Sequence, residues 1–446
     1  MIASAVPISI SLSKPCFTMA EKGCDLDPVA FRYSYCEVLA AQTLPWKMSK
    51  RQGKPMQIEA IEIRNYRLFR HARLEDLPPL AIVIGANGSG KSTLFDVFSF
   101  LKESLIDNVA QAVARRGGFR ELVSRKETGP ISITIKFRES SGRLATYQVD
   151  IALDGTRPVV DREILKFRRG KTGQPWHFLD FRRGVGTAIT NEESYGREGA
   201  TAEREHRVLD DPSVLAIKGL GQFKEFRVVA EFRNLIENWH ISDFHISDAR
   251  PSIEAGYAEH LSTRGDNVAQ VAQYLYENHS DQFKLVLKAM SERVPGINRV
   301  EAQPTVDGRL VLRFQDGAFQ DPFISRYVSD GTIKMFAYLV LLYDPKPHPL
   351  LAVEEPENQL FPLLLPELVE EFRDYARRGG QVFISTHSPD FLNAVKLREI
   401  YCLVKCDGFT QVQRASENQL VERLVEEGDL PGSLWKQGFF AGLGVK

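Results

Sequence analysis

The segment Gly85-Ala86-Asn87-Gly88-Ser89-Gly90-Lys91-Ser92 has the spacing G-x-x-x-x-G-K-[ST], and the apolar run Leu80-Ala-Ile-Val-Ile leads into it. Such a loop does phosphate chemistry. Its glycines let backbone N–H groups turn inward around phosphate oxygens. A helix that starts near Lys91 brings its positive dipole end to the same place. Lys91 is expected to reach the β- and γ-phosphates of a nucleotide, and Ser92 to ligate Mg²⁺. Gly85, Asn87, Gly88, Ser89, Gly90, Lys91, Ser92 and Thr93 make up the expected cradle.

A second group lies far along the chain. Pro349-Leu-Leu-Ala-Val-Glu354-Glu355-Pro356-Glu357-Asn358 is an apolar strand that ends in carboxylates. Nucleotide hydrolysis needs one carboxylate for Mg²⁺ and another to orient the attacking water. Side chains alternate along a strand, so two adjacent carboxylates cannot both face the same way there. We assign Glu354 to the metal and Glu355, beyond the strand end, to the water. Val382-Phe-Ile-Ser385-Thr386-His387-Ser388-Pro389 is another buried strand with a polar end, where His387 can hydrogen-bond a γ-phosphate and sense its loss. No G-x-S-x-G elbow supports a Ser/His/Asp hydrolase. Ser329-Asp330-Gly331-Thr332 precedes the apolar stretch Ile333–Leu342, a helix start that suits an anion.

These residues need a scaffold of strands and helices. Alternating patterns predict strands over Ile58–Arg64, Ile131–Phe137, Tyr147–Leu153 and Arg309–Phe314. Continuous apolar runs at Leu80–Ile84, Leu350–Val353 and Val382–Ile384 predict strands covered on both faces. Helical spacing predicts helices over Leu94–Leu105, around Val268–Tyr276, over Thr332–Leu342 and over Pro366–Arg377, the last stopped by Gly379-Gly380. The alternation implies an α/β core. Residues 155–250 are rich in charge and glycine and read as an inserted lobe. The expected layout is an N-terminal extension, poorly ordered, over 1–55 (with Met19, Met48 and Met56 as alternative starts); a first lobe with the phosphate loop over 56–155; an inserted α+β lobe over 156–315; a second lobe over 316–410; and a tail over 411–446.

Composition excludes several classes. The chain has 446 residues, 57 Lys and Arg against 58 Asp and Glu, and a net charge of −1, so it is no polycation. No stretch approaches the roughly 18 uncharged apolar residues of a spanning helix. Five sparse cysteines, Cys16, Cys24, Cys36, Cys402 and Cys406, fit unpaired thiols in a reducing cytosol, and we expect a cytoplasmic protein without membrane contact.

In this order the motifs resemble the ABC-type ATPase heads of the SMC/RecF superfamily, and most of all its RecF-like AAA-type branch, over about residues 56–446. Gly85–Ser92 is similar to Walker A and Leu350–Glu355 to Walker B with its catalytic Glu. Ser329-Asp330-Gly331 resembles the signature loop, Glu357-Asn358-Gln359-Leu360 the D-loop, and His387 the switch His. Asn65-Tyr66-Arg67-Leu68-Phe69 is similar to the N-terminal loop whose Arg reaches the nucleotide, which makes Arg67 a candidate. Gly428-Asp-Leu-Pro-Gly-Ser-Leu-Trp435-Lys-Gln-Gly438 resembles the branch's tail. Gln359 and Phe361 stand where the family often has Gly and His.

The resemblance implies a P-loop NTPase fold of the ABC/SMC-head type, with a mixed sheet core flanked by helices. It also implies ATP and Mg²⁺ as ligands and ATP hydrolysis by Glu355, His387 and Lys91. ATP would drive homodimerisation, with Ser329 and Gly331 contacting the nucleotide of the other protomer.

Two roles are open for the work this drives. One is a DNA-binding switch in repair or genome maintenance. A basic stretch, Arg157, Arg162, Lys166, Arg168, Arg169, Lys171, Arg182 and Arg183, interleaves there with Trp176, His177, Phe178 and Phe181 as stackers. The other is a sensor or scaffold ATPase in a phage-defence or toxin system. It would act through a separately encoded effector, since the 59 residues after His387 are too few for an appended nuclease.

Overall fold

The computed structural model describes residues 56–140, 142–167, 176–192, 203–244 and 246–440. The extension expected over 1–55 lies outside them.

Two sheets and the helices between them build the core. The central sheet has six strands in the order His240–Ser242, Leu350–Glu354, Gln381–Ser385, Leu80–Gly85, Ile400–Cys406 and Phe409–Arg414. The first five run parallel and the last is antiparallel. Its apolar runs are continuous because both faces are covered. Ala81, Val83, Leu350 and Ala352 enter one hydrophobic cluster, while Leu80, Ile82, Ile84, Leu351 and Val353 enter another.

The helix Lys91–Ile106 covers the first face. Its Phe98 ring lies 5.0 Å from Phe383 and 5.4 Å from Trp239. The helix Asp330–Leu342 covers the second face and is buried nearly all round, which is why its sequence shows so little amphipathic stripe.

The second sheet has eight antiparallel strands, from Phe69–Leu74 and Gln57–Tyr66 through Ile131–Arg138, Leu144–Asp154, Arg157–Phe167, Trp176–Arg182 and Val185–Ile189 to Arg204–Val208. The strand Ile131–Arg138 alternates buried and part-exposed residues, as its sequence predicts. A third, smaller sheet joins Ile253–Glu254, Ile297–Pro304, Arg309–Asp316 and Phe323–Ile324.

The stretch expected as an inserted lobe is divided among these layers. The strands Arg157–Phe167, Trp176–Arg182, Val185–Ile189 and Arg204–Val208 prolong the eight-stranded sheet rather than standing apart. His240–Ser242 belongs to the central sheet, paired with Leu351–Val353. Charged residues on the open face hid the alternation of this region.

That packing also corrects the reading of its aromatics. Trp176, Phe178 and Phe181 are 6%, 0% and 2% exposed, so they are core residues and not stacking platforms. Arg157 pairs with Asp211, Arg162 with Asp180, and Arg183 with Asp154 and Asp161. Arg168, Arg169 and Lys171 lie outside the described residues. No helix among the described residues is long and apolar enough to cross a membrane.

Candidate functional site

The parallel strands all end at one edge of the central sheet, and that edge collects the predicted residues. The strand Leu80–Gly85 passes into the loop, where Gly88 and Gly90 take φ of +74° and +107°. Only glycine adopts those angles without strain. Gly85 is required for space: a Cβ there would sit 2.6 Å from the Leu403 carbonyl oxygen. Asn87 and Gly88 are exposed on the loop, and Thr93 follows Ser92 in the first helical turn. Ser89 is 2% exposed, and its Oγ is buried without a hydrogen-bond partner. Its carbonyl accepts from Thr410 Oγ1 at 2.6 Å, which ties the loop to the sheet edge.

Lys91, 6% exposed, folds back onto the loop. Its Nζ donates to the Gly85 oxygen at 3.0 Å and the Ala86 oxygen at 3.4 Å. Burial pushes its pKa down, against the pull of Glu355, Glu354 and Glu357. An ammonium held only by carbonyls beside an unpartnered hydroxyl suits an incoming anion.

The acidic strand lies two strands away, across Gln381–Ser385. Glu354 pairs in register with Ser385, which pairs with Val83. Burial raises the Glu354 pKa, opposed by a hydrogen bond from Ser92. A desolvated carboxylate beside a hydroxyl is an oxygen donor set that fits a hard divalent cation.

Glu355 leaves the strand at a φ of +43°, which turns its side chain toward the next strand end. Its amide donates to the Ser385 oxygen at 2.9 Å. One carboxylate oxygen accepts from Asn358 Nδ2 at 2.9 Å, and the other lies 3.3 Å from His387 Nε2. Burial, and then the charge of Lys91, hold the His387 pKa below its usual value.

Three residues here have roles that their place in the sequence does not predict, and Glu357 reads there only as part of the D-loop-like segment. Glu357 Oε1 accepts from Thr386 Oγ1 at 2.7 Å and from the amides of His387 and Ser388 at 2.8 and 3.2 Å. It therefore locks the two strand ends together. Lys334, 3% exposed, donates to the Asn358 oxygen at 2.9 Å, and burial takes its pKa down to about 8. A lone cation after Asp330 in an otherwise apolar helix was the available signal. Arg250 pairs with Asp330 and donates to the Arg326 oxygen at 2.9 Å, with no signal in the local sequence.

Ser329 caps its helix, its Oγ accepting from the Thr332 amide at 3.2 Å. Gly331 packs against the D-loop-like turn, where a Cβ would meet the Gln359 oxygen at 2.7 Å. Arg67 has a φ of +47° and pairs with Asp96 at 2.9 Å, one turn beyond Ser92 on the same helix. A cleft of about 870 Å³ joins Ser92, Glu354 and Glu355 to Asp243, Lys334, Arg250 and Asp330. The arrangement can hold polyphosphate, a cation and a water between opposed charges.

Solved structures of similar shape include an SMC head bound to the C-winged helix domain of ScpA (14% identity, 80% of this chain and 96% of that one, TM-score 0.49). Another is the Smc head with an extended coiled coil bound to the C-terminal domain of ScpA from Pyrococcus furiosus (12%, 83% and 100%, 0.47). A third is the SMC head domain from Thermotoga maritima (12%, 80% and 98%, 0.42). No curated protein matches the chain. Residues 80–393 match the family model described as "AAA domain, putative AbiEii toxin, Type IV TA system", a span that runs from the phosphate-loop strand past His387. The chain belongs to that family and carries its AAA-type ATPase fold.

Proposed function

We propose that the protein binds and hydrolyses ATP, and that ATP closes two copies of it into a dimer. The observation that supports this best is the convergence of Lys91, Ser92, Glu354, Glu355 and His387 at one edge of a parallel sheet. In open α/β sheets, ligands bind outside the carboxyl ends of the strands.

Gly85, Asn87, Gly88, Ser89, Gly90 and Thr93 supply the loop that surrounds the phosphates. Lys91 gives up its carbonyl partners to them and neutralises charge as the terminal phosphate leaves. Ser92 and Glu354 would hold Mg²⁺, which when bound neutralises the phosphate oxygens. Glu355 orients and polarises the attacking water, and its bond from Asn358 fixes the carboxylate that does so. His387, kept neutral, contacts the terminal phosphate and reports its loss to Glu355. Arg67 approaches the nucleotide from the side of Asp96. Ser329 and Gly331 face the nucleotide of the second copy.

For the biological role, the family description names a "putative AbiEii toxin" of a Type IV toxin–antitoxin system, which is compatible with the alternative of a toxin or defence system acting through a separate effector. The DNA-repair reading loses support, since its described stacking aromatics, apart from His177, are buried. The dimer is tested by light scattering of Glu355→Gln with Mg-ATP. A doubled mass that reverts on nucleotide removal supports it, and an unchanged monomer mass refutes it.

A further inference from the structure

At the opposite end of the central sheet, three histidines and an aspartate crowd together. His240 opens its strand, His348 precedes Leu350–Glu354 by two residues, and Asp344 follows the C-terminus of the helix Asp330–Leu342. His260 comes from the loop before the helix Val268–Asn278. One ligand atom from each of His260, Asp344 and His348 lies within 4.8 Å of the others. The nucleotide chemistry proposed above uses none of these groups.

The hydrogen bonding leaves a donor nitrogen over. His348 Nδ1 lies 3.1 Å from the Asn238 carbonyl oxygen, which can only accept. The proton is therefore on Nδ1, and Nε2 carries the lone pair. That Nε2 is buried and has no hydrogen-bond partner. A ring whose far N–H is anchored to a carbonyl is the usual state of a metal-ligating histidine. Beside it, His260 Nδ1 lies 2.6 Å from Asp344 Oδ2, and Asp344 is only 6% exposed.

Behind it, the His240 ring stacks on His348 at 4.8 Å, with its own buried Nε2 unpartnered and the residue 5% exposed. A buried imidazole nitrogen without a partner, as at His348, is costly unless something binds there. The Lys102 ammonium, which donates to the Trp239 oxygen at 2.6 Å, has Glu237 as its counter-charge.

We propose that His260, Asp344 and His348 bind a divalent transition metal of the zinc class, with His240 as the wall behind His348. Two imidazoles and one carboxylate suit zinc, whereas Mg²⁺ and Ca²⁺ prefer all-oxygen shells. A tetrahedral site with bonds of about 2 Å has ligand–ligand edges of about 3.3 Å. Side-chain rotation covers that contraction, with a solvent molecule as fourth ligand. Such an ion would clamp the far end of the helix that begins at Ser329 to the central sheet and to the His260 loop.

The test is zinc titration of the full-length, chelator-treated protein against a competing indicator, alongside Co²⁺ substitution. The wild type should take up zinc stoichiometrically at this site. His348→Gln and His260→Gln should each weaken it at least tenfold, in keeping with about 10–100-fold for lost ligand support. His260→Gln lies on a part-exposed loop and its amide can still donate to Asp344, so it should keep a zinc-free melting temperature near that of the wild type, which separates lost binding from lost fold. Bound Co²⁺ should lack a thiolate charge-transfer band. Failure of the wild type to bind zinc, affinity unchanged in both variants, or a thiolate band from Cys402, Cys406 or the N-terminal cysteines would each overturn the proposal.

Discussion

His387 Nε2 stands 3.3 Å from Glu355 Oε1, so a residue just past one strand end touches a residue just past the next. Two carboxylate bonds hold the pair in place. Asn358 fixes the Glu355 side chain, and Glu357 fixes the backbone of His387. Replacing His387 by Ala should leave ATP affinity near wild type and lower turnover by about 10²–10³, the range for losing one charge-stabilising donor. Because its pKa lies below the usual value, acid loss of the wild-type rate should set in below pH 6.5. A rate–pH profile of wild type and variant checks both. Equal turnover removes His387 from the mechanism.

Lys91→Ala should abolish tight nucleotide binding while leaving the fold intact, since its ammonium bonds only to the carbonyls of Gly85 and Ala86 in its own loop. Charge-assisted contacts to phosphate are worth about 1.5–3 kcal/mol each, so affinity should fall at least about 10- to 100-fold. Calorimetric titration with ATP measures this, and retained affinity would refute the assignment of the loop.

Ser329→Arg should block dimer closure and spare ATP binding. The change removes the N-cap bond to the Thr332 amide, at about 1 kcal/mol, and sets a bulky charge at the proposed contact. Light scattering of the double variant Ser329→Arg/Glu355→Gln with ATP should give monomer; a dimer would show that Ser329 is not at the interface.

Lys334→Met separates burial from charge. The folded pKa of Lys334 is about 8, against 10.5 for an ordinary lysine. Between these values the unfolded chain binds the extra proton, so this group's contribution to stability rises as pH rises from about 8 to 10.5 and is lost as pH falls back through 8. Methionine has no such term. The stability of Lys334→Met relative to wild type should therefore decline by up to about 3 kcal/mol across that window. Urea unfolding at pH 7.5 and pH 10.5 gives the difference, and a pH-independent difference would contradict the buried charge.

Phe178→Ala should lower stability by about 3–5 kcal/mol, the cost of emptying a core aromatic site, because Phe178 is fully buried in the eight-stranded sheet. Retention of duplex DNA on filters at low salt should not change for any folded fraction. A fully stable variant with lost DNA retention would restore the stacking role.

The strands Leu80–Gly85, Leu350–Glu354 and Gln381–Ser385 were legible because burial on both faces forces unbroken apolar runs, and each ends in chemically distinctive residues. The helix Asp330–Leu342 was legible from Ser329 as its cap. The region 157–208 was not, because Arg–Asp pairs on its open face add charge where alternation would otherwise stand out. Its aromatics read as exposed because composition does not report which side of a pleat a residue takes. Arg250 and Glu357 act through partners 80 and about 30 residues away, which no local pattern encodes. The histidine cluster draws on positions 240, 260, 344 and 348, brought together only by the parallel pairing of distant strands and the helix between them.

Phosphate release from ATP by wild type and Glu355→Gln, measured side by side with nucleotide affinity, bears most directly on the proposed hydrolysis. The wild type should show measurable turnover, and the variant equal or tighter ATP binding with turnover reduced by about 10²–10⁴, the usual share of a positioned base. A wild type that binds no ATP, or a variant that hydrolyses it at the wild-type rate, would contradict the proposed hydrolysis.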